Sequence, residues 1–356
     1  MKRILYTTGI IVMSALLAAC NADSKSSGNS DSNSNSQQSA STGHNGKSFD
    51  ELWKEDPFNL KTNDINRSYL KGKIKSLEIT TYHASSYFGE PRLDSIRLAK
   101  RLGFNNDGYI THYSLEMRTD SFDRDYNRVR YTEHKYENCA YTLKGNKETI
   151  TVTDKNGDIL RKIVKTLDTA GMPIKREEYD GTGKLTLMNK YSYDSDGRLK
   201  ERSSYGEDGA TVSRLFDIRY NSCGLVESYT DLYDFKEKKG AAYSFKYTDG
   251  WLLLEQIEHD YNDNDSYTTR YEHTDGKLSA ATHTSFDKDG NEESKSISKL
   301  DQHGNTIEHL FYYENKLESQ TRSEHKYDSH GNVIETISYK DGEPTEVTKY
   351  TYEYYE

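Results

Sequence analysis

The chain has 356 residues, of which 33% are hydrophobic and 30% charged, and its formal net charge is −10. With a mean hydropathy of −0.98, that balance excludes a thick aliphatic core and disfavours non-specific binding to nucleic acid or to anionic lipid headgroups. Thirty tyrosines and only four prolines argue against the disorder that low hydrophobicity otherwise implies, because tyrosine suits a half-exposed sheet and proline cannot donate to a strand ladder.

Lys2 and Arg3 open the chain, followed by a short apolar run from Ile4 to Leu16 and then Leu17-Ala18-Ala19-Cys20. A run this short is a secretory signal and not a membrane-spanning helix. The cysteine at the cleavage position resembles the lipobox of bacterial lipoproteins. That resemblance implies removal of residues 1–19 by signal peptidase II and lipidation of Cys20. Acyl chains there would anchor the protein to the membrane at ~0.8 kcal/mol per buried CH₂. Removing Lys2 and Arg3 takes the net charge from −10 to −12. Asn21 lacks the aspartate that retains lipoproteins in the inner membrane of some diderm bacteria, so the outer membrane is the expected address, on either face. Residues 20–47 hold the lipid and a Ser/Asn/Gly-rich tether with a reach of roughly 30 Å.

Over 48–69, Ser48-Phe49-Asp50-Glu51 reads as a capping box that opens a short helix. Phe49, Leu52 and Trp53 share one face, and Pro57 limits it. Its expected place is a cap over the first edge of the sheet that follows.

Turn signals punctuate residues 70–356. Asn105 to Gly108, Asp154 to Gly157, Asp168 to Gly171, Asp194 to Gly197, Asn221 to Gly224, Asp301 to Gly304 and Asp328 to Gly331 share one form, and Asp249-Gly250 and Asp275-Gly276 are shorter versions. Asp and Asn bond their own backbone, and Gly takes positive φ without penalty. Between turns the period is two, with Leu185, Leu187, Tyr191 and Tyr193 on one face. Leu93 to Leu102 also fits an amphipathic helix, but the turn at Asn105 favours strand. The expected fold is all-β: an antiparallel up-and-down meander of repeated hairpins, curled into an open sheet, a spiral or a wide barrel, with one short N-terminal helix.

Tyr193-Asp194-Ser195-Asp196-Gly197-Arg198-Leu199 and Tyr327-Asp328-Ser329-His330-Gly331-Asn332-Val333 resemble the YD repeats of the RHS family. The looser resemblance covers roughly residues 150–356. Leu70 to Ser76, with Phe104 to Gly108, looks like the front of RHS-like lipoproteins from gut-type diderm bacteria. Large members enclose a C-terminal toxin. Here Thr351 to Glu356 reads as a last strand, so toxin delivery is not expected.

The aromatic surface is the best functional candidate. Sugars stack on aromatic faces, and nearby Asp, Asn and Arg bond their hydroxyls. Trp251, Tyr350, Tyr352 and Tyr354 are the expected ligand-binding residues; the competing reading packs these rings on neighbouring strands. Asp194 to Gly197 and Asp287 to Gly290 resemble calcium loops superficially, but Ser203 and Ser296 stand where an EF-hand needs its glutamate. No metal or cofactor is expected. His303 and His330 occupy equivalent turn positions and read as turn filler. An oxidising envelope permits a bridge between Cys139 and Cys223, but they lie far apart in sequence and Cys223 stands inside a turn, so two unpaired cysteines are the preferred reading and the bridge stays open. Neither a serine elbow, a Walker loop nor a dinucleotide fingerprint is present, so catalysis is not expected. The expected function is a lipid-anchored envelope protein whose β-repeat region binds a ligand, glycan first, or a protein partner. A structural subunit of an envelope complex is the second reading, and a carbohydrate-active enzyme with a carboxylate pair the third.

Overall fold

The computed structural model describes residues 70–122 and 128–356, with Phe58, Leu60, Asp64 and Ser68. The signal, Cys20, the tether and the short helix expected over 48–69 lie outside the described residues, apart from those four positions, and every described element is a strand.

The strands are long at first: β1 (Ile74–Tyr87), β2 (Glu90–Phe104), β3 (Ile110–Phe122) and β4 (Arg128–Lys144). They then shorten to a regular length in β5 (Lys147–Thr153), β6 (Ile159–Leu167), β7 (Pro173–Asp180), β8 (Leu185–Tyr193), β9 (Leu199–Tyr205) and β10 (Thr211–Tyr220). The pattern continues through β11 (Val226–Asp234), β12 (Lys239–Tyr247), β13 (Leu253–Asp260), β14 (Ser266–Thr274) and β15 (Lys277–Phe286). It ends with β16 (Glu292–Leu300), β17 (Thr306–Tyr313), β18 (Lys316–Tyr327), β19 (Val333–Lys340) and β20 (Glu343–Tyr354). Leu93 to Leu102 is strand, as the following turn implied.

Each strand pairs antiparallel with the next, and β20 pairs back onto β1 through Leu77↔Tyr352, Ile79↔Tyr350 and Thr81↔Thr348. The sheet is therefore a closed 20-stranded up-and-down barrel. Of the three forms expected, closure selects the wide barrel and excludes the open sheet and the spiral. It also leaves no first edge for a cap to cover. Register shifts recur at the strand ends, for example at Lys246/Tyr247 and Lys326/Tyr327, and such bulges add the twist and bend that let a sheet close.

Two rims result. Rim A carries the connections from odd to even strands. Rim B carries those from even to odd strands, together with the β20–β1 seam. On rim B the Asp-x-x-Gly turns are built alike. Asp194 Oδ1 accepts the backbone N–H groups of Asp196 (3.0 Å) and Arg198 (2.9 Å), while Gly197 takes a φ of 76°. A tyrosine then ties each such turn to its neighbour. The hydroxyl of Tyr193 donates to Pro173 O at 2.7 Å, that of Tyr220 to Leu199 O at 2.7 Å, and that of Tyr247 to Val226 O at 2.6 Å. The repeated tyrosines thus lock the end of one strand to the start of the strand before it, at about 1 kcal/mol each.

The two faces of the wall differ. Leu77, Ile79, Leu102 and Leu115 share the inner face with Tyr350 and Tyr352. Val226, Phe245 and Leu253 form a second inner cluster with Tyr229 and Tyr243. Phe58 lies edge-on to Tyr229 (centroids 5.5 Å), Asp64 Oδ2 accepts the Ile110 N–H at 2.7 Å, and Leu70 is buried with Ile74 and Leu77. Phe58, Asp64 and Leu70 are therefore packed against the inside of the wall. Charges also line the interior. Glu137 is almost fully buried and takes both guanidinium nitrogens of Arg161, at 3.0 and 2.9 Å. Glu148 and Lys165, each 3% exposed, sit 3.5 Å apart.

The outer face is a lattice of cross-strand ion pairs. Lys246 and Arg270 flank Glu255 at 2.6 and 3.2 Å, Lys299 meets Glu308 at 2.7 Å, Lys326 meets Glu335 at 2.7 Å, and Lys75 meets Glu353 at 2.6 Å. A membrane-spanning barrel needs an outward apolar band, and each mid-plane Lys or Arg there costs about 2–4 kcal/mol. This wall suits water.

Candidate functional site

Trp251 lies in the rim B turn between β12 and β13. Its N–H donates to Thr248 O at 3.0 Å, the bond that Gly197 makes to Asp194 O and Gly331 to Asp328 O in their turns. Trp251 therefore stands at the glycine position, with φ at 69°. Gly250, which the sequence marks as the left-handed residue, falls one place early. A bulky side chain in this region is strained, and its indole is 41% exposed. The adjacent rim B turns bring Cys223 and Asp275. Cys223 is exposed and unbridged, so it forms no disulfide with Cys139, which is buried on β4.

Tyr350, Tyr352 and Tyr354 are on β20, eight strands round the wall from Trp251, so the structure does not bring the two expected groups together. Tyr350, Tyr352 and Tyr354 pack against the inner cluster of β1–β3. The Tyr352 hydroxyl donates to Val333 O at 3.0 Å, and that of Tyr354 to Asp328 Oδ2. Burial raises all three hydroxyl pKa values above the ordinary tyrosine range. These rings hold the barrel seam closed, and their polar ends are committed within it.

His303 and His330 do more than fill turns. His330 stacks on Tyr354 with centroids 4.1 Å apart, and His303 stacks on Tyr327 at the same distance. The two rim B turns Asp301-Gln302-His303-Gly304-Asn305 and Asp328-Ser329-His330-Gly331-Asn332 are copies in structure as in sequence. In each, the aspartate Oδ1 accepts the backbone N–H groups of the histidine and the asparagine, at 2.9 and 3.0 Å in the first and 2.9 and 2.9 Å in the second. The other oxygen accepts the hydroxyl of Tyr327 or Tyr354. Each asparagine Nδ2 donates to that same hydroxyl, at 3.0 Å from Asn305 and 2.9 Å from Asn332.

A third group escaped sequence reading. Tyr229 and Tyr243 stack inside the wall at 4.7 Å. Asp231 and Glu258 lie on the same face of the neighbouring strands, and Arg202 reaches Asp231 at 3.7 Å. Burial pushes both carboxyl pKa values up; Arg202 opposes this at Asp231, and the Tyr243 hydroxyl opposes it at Glu258. Alternation places Tyr229 and Asp231 on one face, and Tyr243 opposite Glu258 in register. The signal was present, but an acid-rich repeat reads first as a solvated face.

Among the described residues, no group of three His, Cys, Asp or Glu side chains is placed to hold a metal ion. The carboxylates of Asp194 and Asp287, which resembled calcium ligands, bond their own turns.

No family model matches the chain, and no curated protein does either. Solved structures offer distant likenesses. A porin-like protein from Bacteroides uniformis ATCC 8492 aligns at 13% identity and a TM-score of 0.37, over 79% of this chain and 98% of that one. A TcdB2-TccC3-Cdc42 structure aligns at 13% identity and a TM-score of 0.25, over 80% of this chain but only 19% of that one. These similarities are weak, and the reading of the barrel rests on its own geometry.

Proposed function

We propose that the chain is a lipid-anchored, non-catalytic binding protein of the cell envelope, in which Trp251 and the rim B turns beside it take a glycan. The strained, exposed Trp251 carries this reading. The turn keeps a bulky, exposed indole in the left-handed region where sister turns use glycine, at a typical cost of about 1–3 kcal/mol, and this supports a functional use of the ring. An exposed indole beside Asp249 offers the stacking face and acceptor that sugar rings use. The charged outer wall supports an anchor outside the barrel, which the lipobox at Cys20 would supply. The Tyr193 and Tyr327 turns support an RHS-like repeat origin.

The experiment is a glycan array probed with the Cys20→Ala chain and its Trp251→Ala variant. Binding to a defined sugar class that the variant loses supports the reading. A blank array with a folded chain sinks it.

One observation favours a second reading, an assembly subunit. The β1–β2 hairpin carries Tyr87 and Phe88 at its rim A tip, with Phe88 91% exposed and at a φ of 52°. Such a tip suits docking on a protein partner. Loss of one co-purifying envelope protein on Phe88→Ser would favour it over the glycan reading.

A further inference from the structure

The duplicated turns differ in one respect. Asn332 holds the chain's own backbone: Lys71 N–H donates to its Oδ1 at 2.7 Å, and its Nδ2 donates to Lys71 O at 2.7 Å. The side-chain amide thus pairs with the N–H and C=O of a single residue, as a neighbouring strand would. Gly72 follows and lies flat on the stacked rings. A Cβ there would stand 3.2 Å from Tyr354 Cε1 and 3.3 Å from His330 Cδ2, and its φ is 86°. The second copy has the same aspartate, histidine, asparagine and tyrosine in the same bonding pattern. Yet among the described residues nothing pairs with the Oδ1 of Asn305, and its Nδ2 meets only Tyr327. Asn332 is 3% exposed, while Asn305 is only partly buried. The two sites are neighbours on rim B: Lys71 Nζ and His303 Nδ1 lie 3.1 and 3.5 Å from the point where a Gly331 Cβ would stand.

We propose that Asn305, backed by Asp301 and Tyr327 and bordered by His303, is a docking point for an extended peptide residue followed by glycine, supplied by a partner chain. The occupant is read from the sister site, which holds the pair Lys71-Gly72. The geometry discriminates between amides. An extended residue turns its N–H and C=O to the same side, so it fills both ends of the asparagine amide. A lone trans amide turns them to opposite sides, so the acetamido group of an amino sugar fills one end only. The site goes beyond the glycan reading at Trp251 and stands if that reading fails.

The test uses the full chain and a fluorescein-labelled peptide, Ser-Tyr-Leu-Lys-Gly-Lys-Ile, copied from residues 68–74. Fluorescence anisotropy should show saturable one-to-one binding. It should weaken at least tenfold in Asn305→Ala and in Tyr327→Phe, and equally for a peptide with alanine in place of its glycine. Asn305→Asp, which keeps the size but loses the donor, is read alongside in case the alanine variant unfolds by circular dichroism. No binding, or binding that these variants leave unchanged, overturns the proposal. So does an N-acetylglucosamine tetramer that binds in an Asn305-dependent way where the peptide does not.

Discussion

Trp251 and the glycines of its sister turns occupy the same backbone position, and the energetics of that position are separable from the indole's use. Left-handed φ costs a residue with a Cβ roughly 1–2 kcal/mol and costs glycine almost nothing. Trp251→Gly is therefore expected to be about 1 kcal/mol more stable than Trp251→Ala in urea unfolding, while both lose the indole equally. If the two variants unfold at the same urea concentration, position 251 carries no backbone strain. The sequence showed Asp249-Gly250 as a turn but not its phase. A shift of one residue within the turn moved the left-handed position onto the tryptophan, and local propensity favours the glycine. The tyrosines were half legible. Their spacing marked strand ends, but which hydroxyl reaches which carbonyl depends on register across a neighbouring strand. The Asn332–Lys71 pairing was out of reach, because it joins two residues brought together only by closure of the ring.

At the scale of the element, alternation was a reliable guide to strands and a poor guide to what each face meets. Both faces carry charge, so polarity did not identify the outside. On β5 and β6, Glu148 and Lys165 point inward and are buried together. Removing one partner of a buried pair leaves an uncompensated charge, at a typical cost of 3–5 kcal/mol. Lys165→Met should therefore destabilise the barrel by several kcal/mol in chemical unfolding, and Glu148→Leu added to it should recover most of the loss. Exposed pairs such as Lys75–Glu353 should matter far less, since solvent screens them. Equal effects from Lys165→Met and Lys75→Met would mean that the inner pair is not sealed from water.

For the whole molecule, the carboxylates held by cations and the buried histidines act together on protonation. The Glu201 carboxyl is held below its ordinary value by Arg214, and that of Glu255 by Lys246 and Arg270. Burial pushes Glu137 up, but Arg161 and Lys135 outweigh it and the net direction is down. Depressed carboxyls contribute stability above their unfolded value near 4.5 and lose it as pH falls through the folded value. Burial lowers His283 and His309 below the ordinary 6.5, so the unfolded chain takes up protons first and stability already declines below that pH. Asp231 and Glu258, raised by burial, oppose the trend over the acid range. The melting temperature should fall from pH 7 to pH 4, most steeply below about 4.5. A flat profile by scanning calorimetry would show that these shifts are not coupled to unfolding. Closure itself was legible only as one of three outcomes. It is decided by twist and bulges summed over twenty strands, a quantity no single segment contains.

The pairing of β1 with β20 sets an order of events during synthesis. Neighbouring hairpins can form as they emerge, but β1 keeps one edge unpaired until the last strand arrives. A barrel closed by its first and last strands has a large share of its seam in contacts of the greatest sequence separation, and such contacts form slowly. Until then both seam strands are templates for another chain. A chain lacking residues 343–356 should therefore retain strand content by circular dichroism but elute as oligomers in size-exclusion chromatography.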